Sequence, residues 1–261
     1  MSIPITISLI QADLRWEDPK ANLRRFKKIL DELPPTDLVI LPELFTTGFT
    51  MNVESNAEDV DGPGVYWMKE MASKYSTAVC GSLIIVEESN YYNRLLFVTP
   101  EGIIGQYDKR HLFRMGDEHR NFTTGRERVV IGYKGWRILP QICYDIRFPV
   151  WSRNNNDYDL LINVANWPAS RKNVWNTLLA ARAIENQCYV VGLNRVGVDG
   201  TGLDHCGNSM LIDYKGRTIE SIGCDTEGHF TRKINLLDQL EFKERFPAHL
   251  DADNFTLNPL N

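Results

Sequence analysis

Cysteine is scarce in this sequence: Cys80, Cys143, Cys188, Cys206 and Cys224 are the only five, widely spaced and without a C-x-x-C pair. An odd, scattered set of this kind argues against a disulfide framework and a zinc knuckle, and it suits a reducing compartment. Long apolar runs are also missing. None approaches the roughly 18 residues that a bilayer-spanning helix needs, and residues 1–12 lack a basic leader and alternate apolar with polar positions. A cytoplasmic location is therefore expected. Positive charge is not in excess, with 29 Lys+Arg against 34 Asp+Glu and a formal net charge of -5. Neither nucleic acid nor a membrane surface is expected as a partner. The patterns G-x-G-x-x-G, G-x-x-x-x-G-K-[ST], H-E-x-x-H and G-x-S-x-G are absent, which removes the usual evidence for nucleotide, zinc and serine-hydrolase chemistry.

What is present is the composition of a packed globular protein, 43% hydrophobic and 24% charged. Short β-rich runs recur at residues 3–10, 38–41, 78–86, 94–99, 102–107, 136–143, 160–164, 189–194 and 209–212. Residues 38–41 are apolar on both faces, as in a central strand, whereas 3–10 alternate and predict one wetter face. Helical spacing joins Leu23, Phe26, Ile29, Leu30 and Leu33, then Trp67, Met71 and Tyr75, then residues 175–186. Strands and helices interleave from end to end with no linker or repeat, so one α/β domain over 1–261 is expected. Residues after about 238 change character and read as a C-terminal arm. An arm that needs a surface to pack on points to a homo-oligomer.

Chemistry concentrates at three strand ends. In Trp136-Arg-Ile-Leu-Pro-Gln-Ile-Cys143-Tyr-Asp-Ile-Arg-Phe-Pro149 a strand runs into Cys143 and a helix is predicted at once. A cysteine there could feel the positive helix end, which favours thiolate, or could be a small buried residue. No histidine context nominates a base for it. Glu43 follows the buried strand in Asp37-Leu-Val-Ile-Leu-Pro-Glu43, where ligand sites of open α/β sheets gather, and could shuttle the thiol proton. Lys109 ends the run 102–107 and could stabilise an oxyanion together with the backbone N–H of Tyr144. Taken singly, Glu43 and Lys109 read more readily as surface charges than as functional groups.

Together, Pro42-Glu43, Tyr107-Asp-Lys109-Arg-His-Leu-Phe113 and Ile142-Cys143-Tyr-Asp-Ile-Arg-Phe-Pro149 resemble the three signature segments of the nitrilase superfamily, the carbon–nitrogen hydrolases. The likeness continues through Asn166-Trp-Pro168, residues 181–187, Asn194-Arg-Val-Gly197 and Gly207-Asn-Ser209. It implies a four-layer α-β-β-α sandwich and catalysis without cofactor or metal. It also implies association into dimers or larger assemblies. Cys143 would be the nucleophile, Glu43 the general base and Lys109 the oxyanion stabiliser. Glu118 would be a further acid near the thiol, although Asp117-Glu118 could also be a solvated loop pair.

Within that superfamily the sequence is most similar to the omega-amidase group, which hydrolyses the side amide of 2-oxoglutaramate or 2-oxosuccinamate. Such a small-molecule amide carries a carboxylate far from the scissile bond and asks for a cationic clamp. Arg114, Arg147 and Arg171 are candidates; Arg171 is preferred, and Arg147 reads better as a structural ion-pair partner. Trp167 and Phe45 could wall the pocket, with a core role as the alternative for Trp167. His111 reads as a structural hydrogen-bonder. Two rival functions remain: another amide, a carbamoyl compound or a nitrile on the same machinery, and a non-catalytic binding protein of the same fold.

Overall fold

The structure is a computed structural model and describes residues 3–253 and 255–257. Its strands are β1 (Pro4–Gln11), β2 (Leu38–Ile40), β3 (Ala78–Glu87), β4 (Asn90–Thr99), β5 (Gly102–Asp108), β6 (Ile131–Tyr133), β7 (Trp136–Ile142), β8 (Leu160–Ala165), β9 (Tyr189–Asn194), β10 (Val196–Val198), β11 (Asp204–Cys206), β12 (Met210–Ile212), β13 (Thr218–Ser221) and β14 (Gly228–Asn235). The helices are α1 (Pro19–Glu32), α2 (Val53–Asn56), α3 (Pro63–Tyr75), α4 (Glu118–Asn121), α5 (Pro149–Ser152), α6 (Lys172–Asn186) and α7 (Leu236–Arg245). Two six-stranded sheets form, in the orders β14-β1-β2-β3-β4-β5 and β13-β12-β9-β8-β7-β6, and β10 pairs with β11 as a separate hairpin. Each large sheet has three parallel strands at its centre, β1-β2-β3 in one and β7-β8-β9 in the other, flanked by antiparallel neighbours.

The period-2 alternation of strand side chains sorts residues between two cores. Along β2 and just beyond it, Leu38 and Ile40 enter one apolar cluster while Val39 and Leu41 enter another. The second cluster takes Phe26 and Leu30 of α1 and Met68 and Met71 of α3, and so lies between the first sheet and its helices. The other holds Phe97 of β4 with Ile138 and Ile142 of β7, between the sheets, and continues to Trp175, Leu179 and Ala183 of α6. The rings of Phe97 and Tyr133, from opposite sheets, stand 5.3 Å apart. The layers are therefore helix, sheet, sheet, helix, the four-layer α-β-β-α sandwich that the resemblance implied.

The predicted strands and helices form, with shifts of a few residues at their ends. The wetter face expected for β1 forms only at its start, where Pro4 and Thr6 are half-buried; Ser8 is fully buried, and its hydroxyl pairs with that of Thr231 at 2.7 Å. Thr231 belongs to β14, a strand the sequence reading missed, which flanks β1 on the side away from β2. The chain after about 238 begins inside α7, which packs on the body of the molecule. Gln239 is buried and donates to the Gln187 carbonyl at 2.9 Å, and the Phe242 ring lies 5.1 Å from that of Tyr214. The last residues of the expected arm, 258–261, lie outside the described residues.

Candidate active site

The polar residues of the site sit where strands end, because a strand terminus frees the chain to turn while its register fixes where the turn begins. Beyond β2, Leu41 donates its N–H to the Cys80 carbonyl at 2.7 Å. Leu44 and Phe45 then donate to the hydroxyl and carbonyl of Ser82 at 2.8 and 3.1 Å. These bonds clamp the Glu43 turn to β3. Glu43 is fully buried and receives the Asn166 N–H on Oε2 at 2.7 Å, while the Asn166 side chain donates to the Glu43 carbonyl at 2.7 Å. Lys109 follows β5; its N–H reaches the Asn93 carbonyl at 3.0 Å and its carbonyl accepts from Gly125 at 2.9 Å. Only glycine fits at 125, since a Cβ there would come within 2.0 Å of the Asp108 carbonyl oxygen.

These turns bring three ionisable groups together out of contact with solvent. The Lys109 ammonium donates to Glu43 Oε1 at 2.8 Å and to Glu118 Oε1 at 2.9 Å, with all three side chains fully buried. Asn93 donates to the same two oxygens at 2.9 and 3.2 Å, and Glu118 Oε2 accepts from Phe113 N–H at 2.6 Å. Burial alone would depress the ammonium, but the nearby Glu118, Glu43 and Cys143 outweigh it and hold the Lys109 pKa above its ordinary value. Glu118 is pushed up by burial and by Glu43, with Lys109 opposing. The alternative of a solvated loop charge at Glu118 is thereby ruled out.

Cys143 follows β7 in left-handed backbone, φ 47°, a strained conformation for a residue with a side chain. The predicted helix after it is instead a five-residue 3-10 helix, Cys143–Arg147, followed by the four-residue α5. So short an element offers little dipole. Burial pushes the thiol well up and Glu43 and Glu118 add to this against Lys109, so the expected bias toward thiolate is reversed. What holds the elbow is Asp145, which the sequence reading left without a role. Fully buried, it accepts from Ile142 N–H at 3.0 Å and the Tyr107 hydroxyl at 2.7 Å on Oδ2. Its Oδ1 accepts from His111 N–H at 2.9 Å and lies 2.8 Å from His111 Nδ1. Asp145 thus ties the Cys143 turn to the Lys109 segment, and His111 has the structural role expected of it.

A cavity of about 470 Å³ opens over Cys143 and Lys109, the size of a small-molecule site. Tyr144, Trp167 and Arg171 line it, as the sequence suggested, while Glu43 and Glu118 lie behind Lys109. Trp167 is nearly buried and also packs on Trp175 at 5.5 Å, so it serves both wall and core. Its Nε1 donates to the Arg171 carbonyl at 2.9 Å, and the Arg171 guanidinium rests over the Phe113 ring. Three suggestions are corrected. Phe45 is fully buried between Phe26 and Trp67 because its N–H is held by β3; Phe49 and Met51 line the cavity instead. Arg114 is exposed and does not line the cavity, which takes Phe113 and Met115 from either side of it. Arg147, read as an ion-pair partner, has no carboxylate partner among the described residues; it lines the cavity with its guanidinium over Trp167.

The sequence reading also missed the residues that β10 and β11 bring to the cavity. Asp199 accepts on Oδ1 from Thr201 N–H, Thr201 hydroxyl and Leu203 N–H, and its Oδ2 lies 3.0 Å from His205 Nε2. Asn166 stood in a quoted motif without a role. Asn93, just before the predicted run 94–99, was not singled out either.

A buried thiol, two carboxylates and an ammonium at the floor of a small cavity, on an α-β-β-α sandwich, define a class of thiol hydrolases. The model of the carbon-nitrogen hydrolase family matches residues 6–241, and the chain belongs to that family. Its relatives include omega-amidase YafV of Escherichia coli K12, 46% identical over 253 residues covering 97% of this chain and 98% of the relative. The 2-oxoglutaramate amidase of Bacillus subtilis is 35% identical, covering 94% and 96%. A solved carbon–nitrogen hydrolase of Xanthomonas campestris, described as carrying an arsenic adduct in its active site, superposes with a TM-score of 0.95 at 46% identity over 98% of this chain and 99% of that one.

Replacing Asp145 by Asn keeps the side-chain volume but turns an NH2 toward donors. Asp145→Asn should lower stability by about 1–3 kcal/mol in urea denaturation, the usual cost of buried polar groups left unpaired. An unchanged midpoint would show that the elbow holds without this carboxylate.

Proposed function

We propose that this carbon–nitrogen hydrolase is an omega-amidase acting on 2-oxoglutaramate and 2-oxosuccinamate, with Cys143 as nucleophile. The observation that carries the reading is the buried Glu43–Lys109–Glu118 chain ending at the Cys143 thiol beneath a cavity rimmed by two guanidinium groups, Arg147 and Arg171. The kinship with omega-amidase YafV and 2-oxoglutaramate amidase supports the choice of substrate.

In this mechanism the resting nucleophile is a neutral thiol. Glu43 takes its proton as sulfur attacks the amide carbon. Lys109 has three N–H donors and spends two on Glu43 and Glu118, leaving the third to face the cavity and meet the developing oxyanion beside the Tyr144 N–H. The C–N bond breaks and ammonia leaves with the proton returned by Glu43. Water then attacks the thioester, giving up a proton to Glu43 while Glu118 holds Lys109 in place, and the dicarboxylate departs as the thiol re-forms. Arg171 clamps the distal carboxylate, with Arg147 beside it, and Trp167 limits the acyl chain. A single catalytic domain, a cytoplasmic location and a homodimer or larger homo-oligomer belong to the same reading. No helix among the described residues is long and apolar enough to cross a membrane.

Ammonia release from 2-oxoglutaramate should fall to background in Cys143→Ala and by about a hundredfold or more in Glu43→Gln, the contribution typical of a general base. Substantial release by either purified variant would reject the assignment. Arg171→Ala should raise KM for 2-oxoglutaramate by about tenfold or more, as loss of a charge-assisted bond does, and leave KM for a neutral aliphatic amide nearly unchanged. An equal rise for both substrates would remove Arg171 from the clamp.

A further inference from the structure

Two cysteines outside the active site stand side by side. Cys206 ends β11, and Cys224 lies in the turn between β13 and β14. The chain joins these places directly: Gly207 and Cys224 form an antiparallel bridge, and the Asp225 N–H donates to the Cys206 carbonyl at 2.9 Å. Their two thiols are near enough to act on each other electrostatically, and the Lys172 ammonium, at the start of α6, lies close to the Cys224 sulfur. The scaffold beneath them is rigid. Gln11 donates to the carbonyls of Gly223 and Thr226 at 2.9 and 2.7 Å while its own oxygen accepts the Ser209 N–H at 2.9 Å, so one buried amide fixes both segments.

The two sulfurs differ in the way a disulfide-forming pair requires. Cys224 is partly exposed, which gives an oxidant access, and the Lys172 cation lies near it. Cys206 is 6% exposed, and burial together with its neighbour pushes its thiol up to about 11. It is placed to resolve rather than to attack first. Cys80 and Cys188, fully buried in the apolar core, have no thiol beside them.

We propose that Cys206 and Cys224 are a redox-modification site that closes to a disulfide when the protein meets a hydroperoxide, clasping the root of the β10–β11 hairpin to the turn before β14. The Cys224 thiolate attacks the O–O bond, forming S–O and releasing hydroxide. The Cys206 thiol then displaces the sulfenic oxygen, forming S–S, and that oxygen leaves as water with the Cys206 proton. With hydrogen peroxide, two thiols lose two electrons in all and the peroxide is reduced to two waters. The hairpin so clasped carries Asp199 and His205 to the cavity, so the bond ties a cavity wall to the redox state of the surroundings.

The test uses the full chain bearing Cys143→Ala, so that the cavity thiol cannot consume oxidant and the result is independent of the proposed reaction. After hydrogen peroxide treatment and alkylation of remaining thiols, trypsin releases residues 196–215 and 218–232, each with one cysteine. Without reductant these peptides should appear joined, two hydrogens lighter than their sum and separated by dithiothreitol, and Cys206→Ser should abolish the joined species. Lys172→Met should slow its formation. Recovery of both peptides alkylated, or of Cys224 as sulfinic acid beside a free Cys206, would overturn the proposal.

Discussion

The Lys109 ammonium held between Glu43 and Glu118 is the interaction on which the rest of the site depends. Three charges without solvent contact are costly to bury, and they persist only because each is met by hydrogen bonds as well as by its neighbours. Lys109 is thereby committed to the glutamates and serves the thiol only in part. Burial, with the two carboxylates adding to it against one ammonium, pushes the Cys143 thiol up, and in the proposed reaction proton removal is therefore coupled to attack instead of preceding it.

Such a cluster needs positions fixed to a fraction of an ångström, and the four layers provide them. Glu43, Asn93 and Lys109 come from the first sheet, and Cys143 and Asn166 from the second. The apolar core between the sheets sets the gap across which Asn166 meets Glu43. Asp145 and Tyr107 make a second span across the same gap. Packing in the sandwich and chemistry at its rim are thus one construction.

Much of this was legible in the sequence because it rests on local patterns. The doubly apolar run 38–41 marked a central strand, and Glu43, Lys109 and Cys143 each stood at the end of a run whose length set where the turn would fall. What was not legible depends on pairing between distant segments. β14 lies more than two hundred residues from the strand it flanks, and nothing local to Ser8 announces the Thr231 hydroxyl that meets it there. Phe45 and Phe49 are both aromatic and four apart, and only the clamp of the turn on Ser82 decides which one faces the core. The 3-10 helix after Cys143 escaped for a like reason, since the Asp145 network that shapes it draws on Tyr107 and His111.

The central claim, a neutral thiol beside a lysine held by two glutamates, is tested most directly by the ultraviolet absorbance of thiolate, compared between wild type and Cys143→Ala at neutral pH. The account predicts identical spectra, because Cys143 contributes no thiolate there. A thiolate band in the wild type that vanishes in the variant would show that Lys109 holds the sulfur as an anion, and would contradict it.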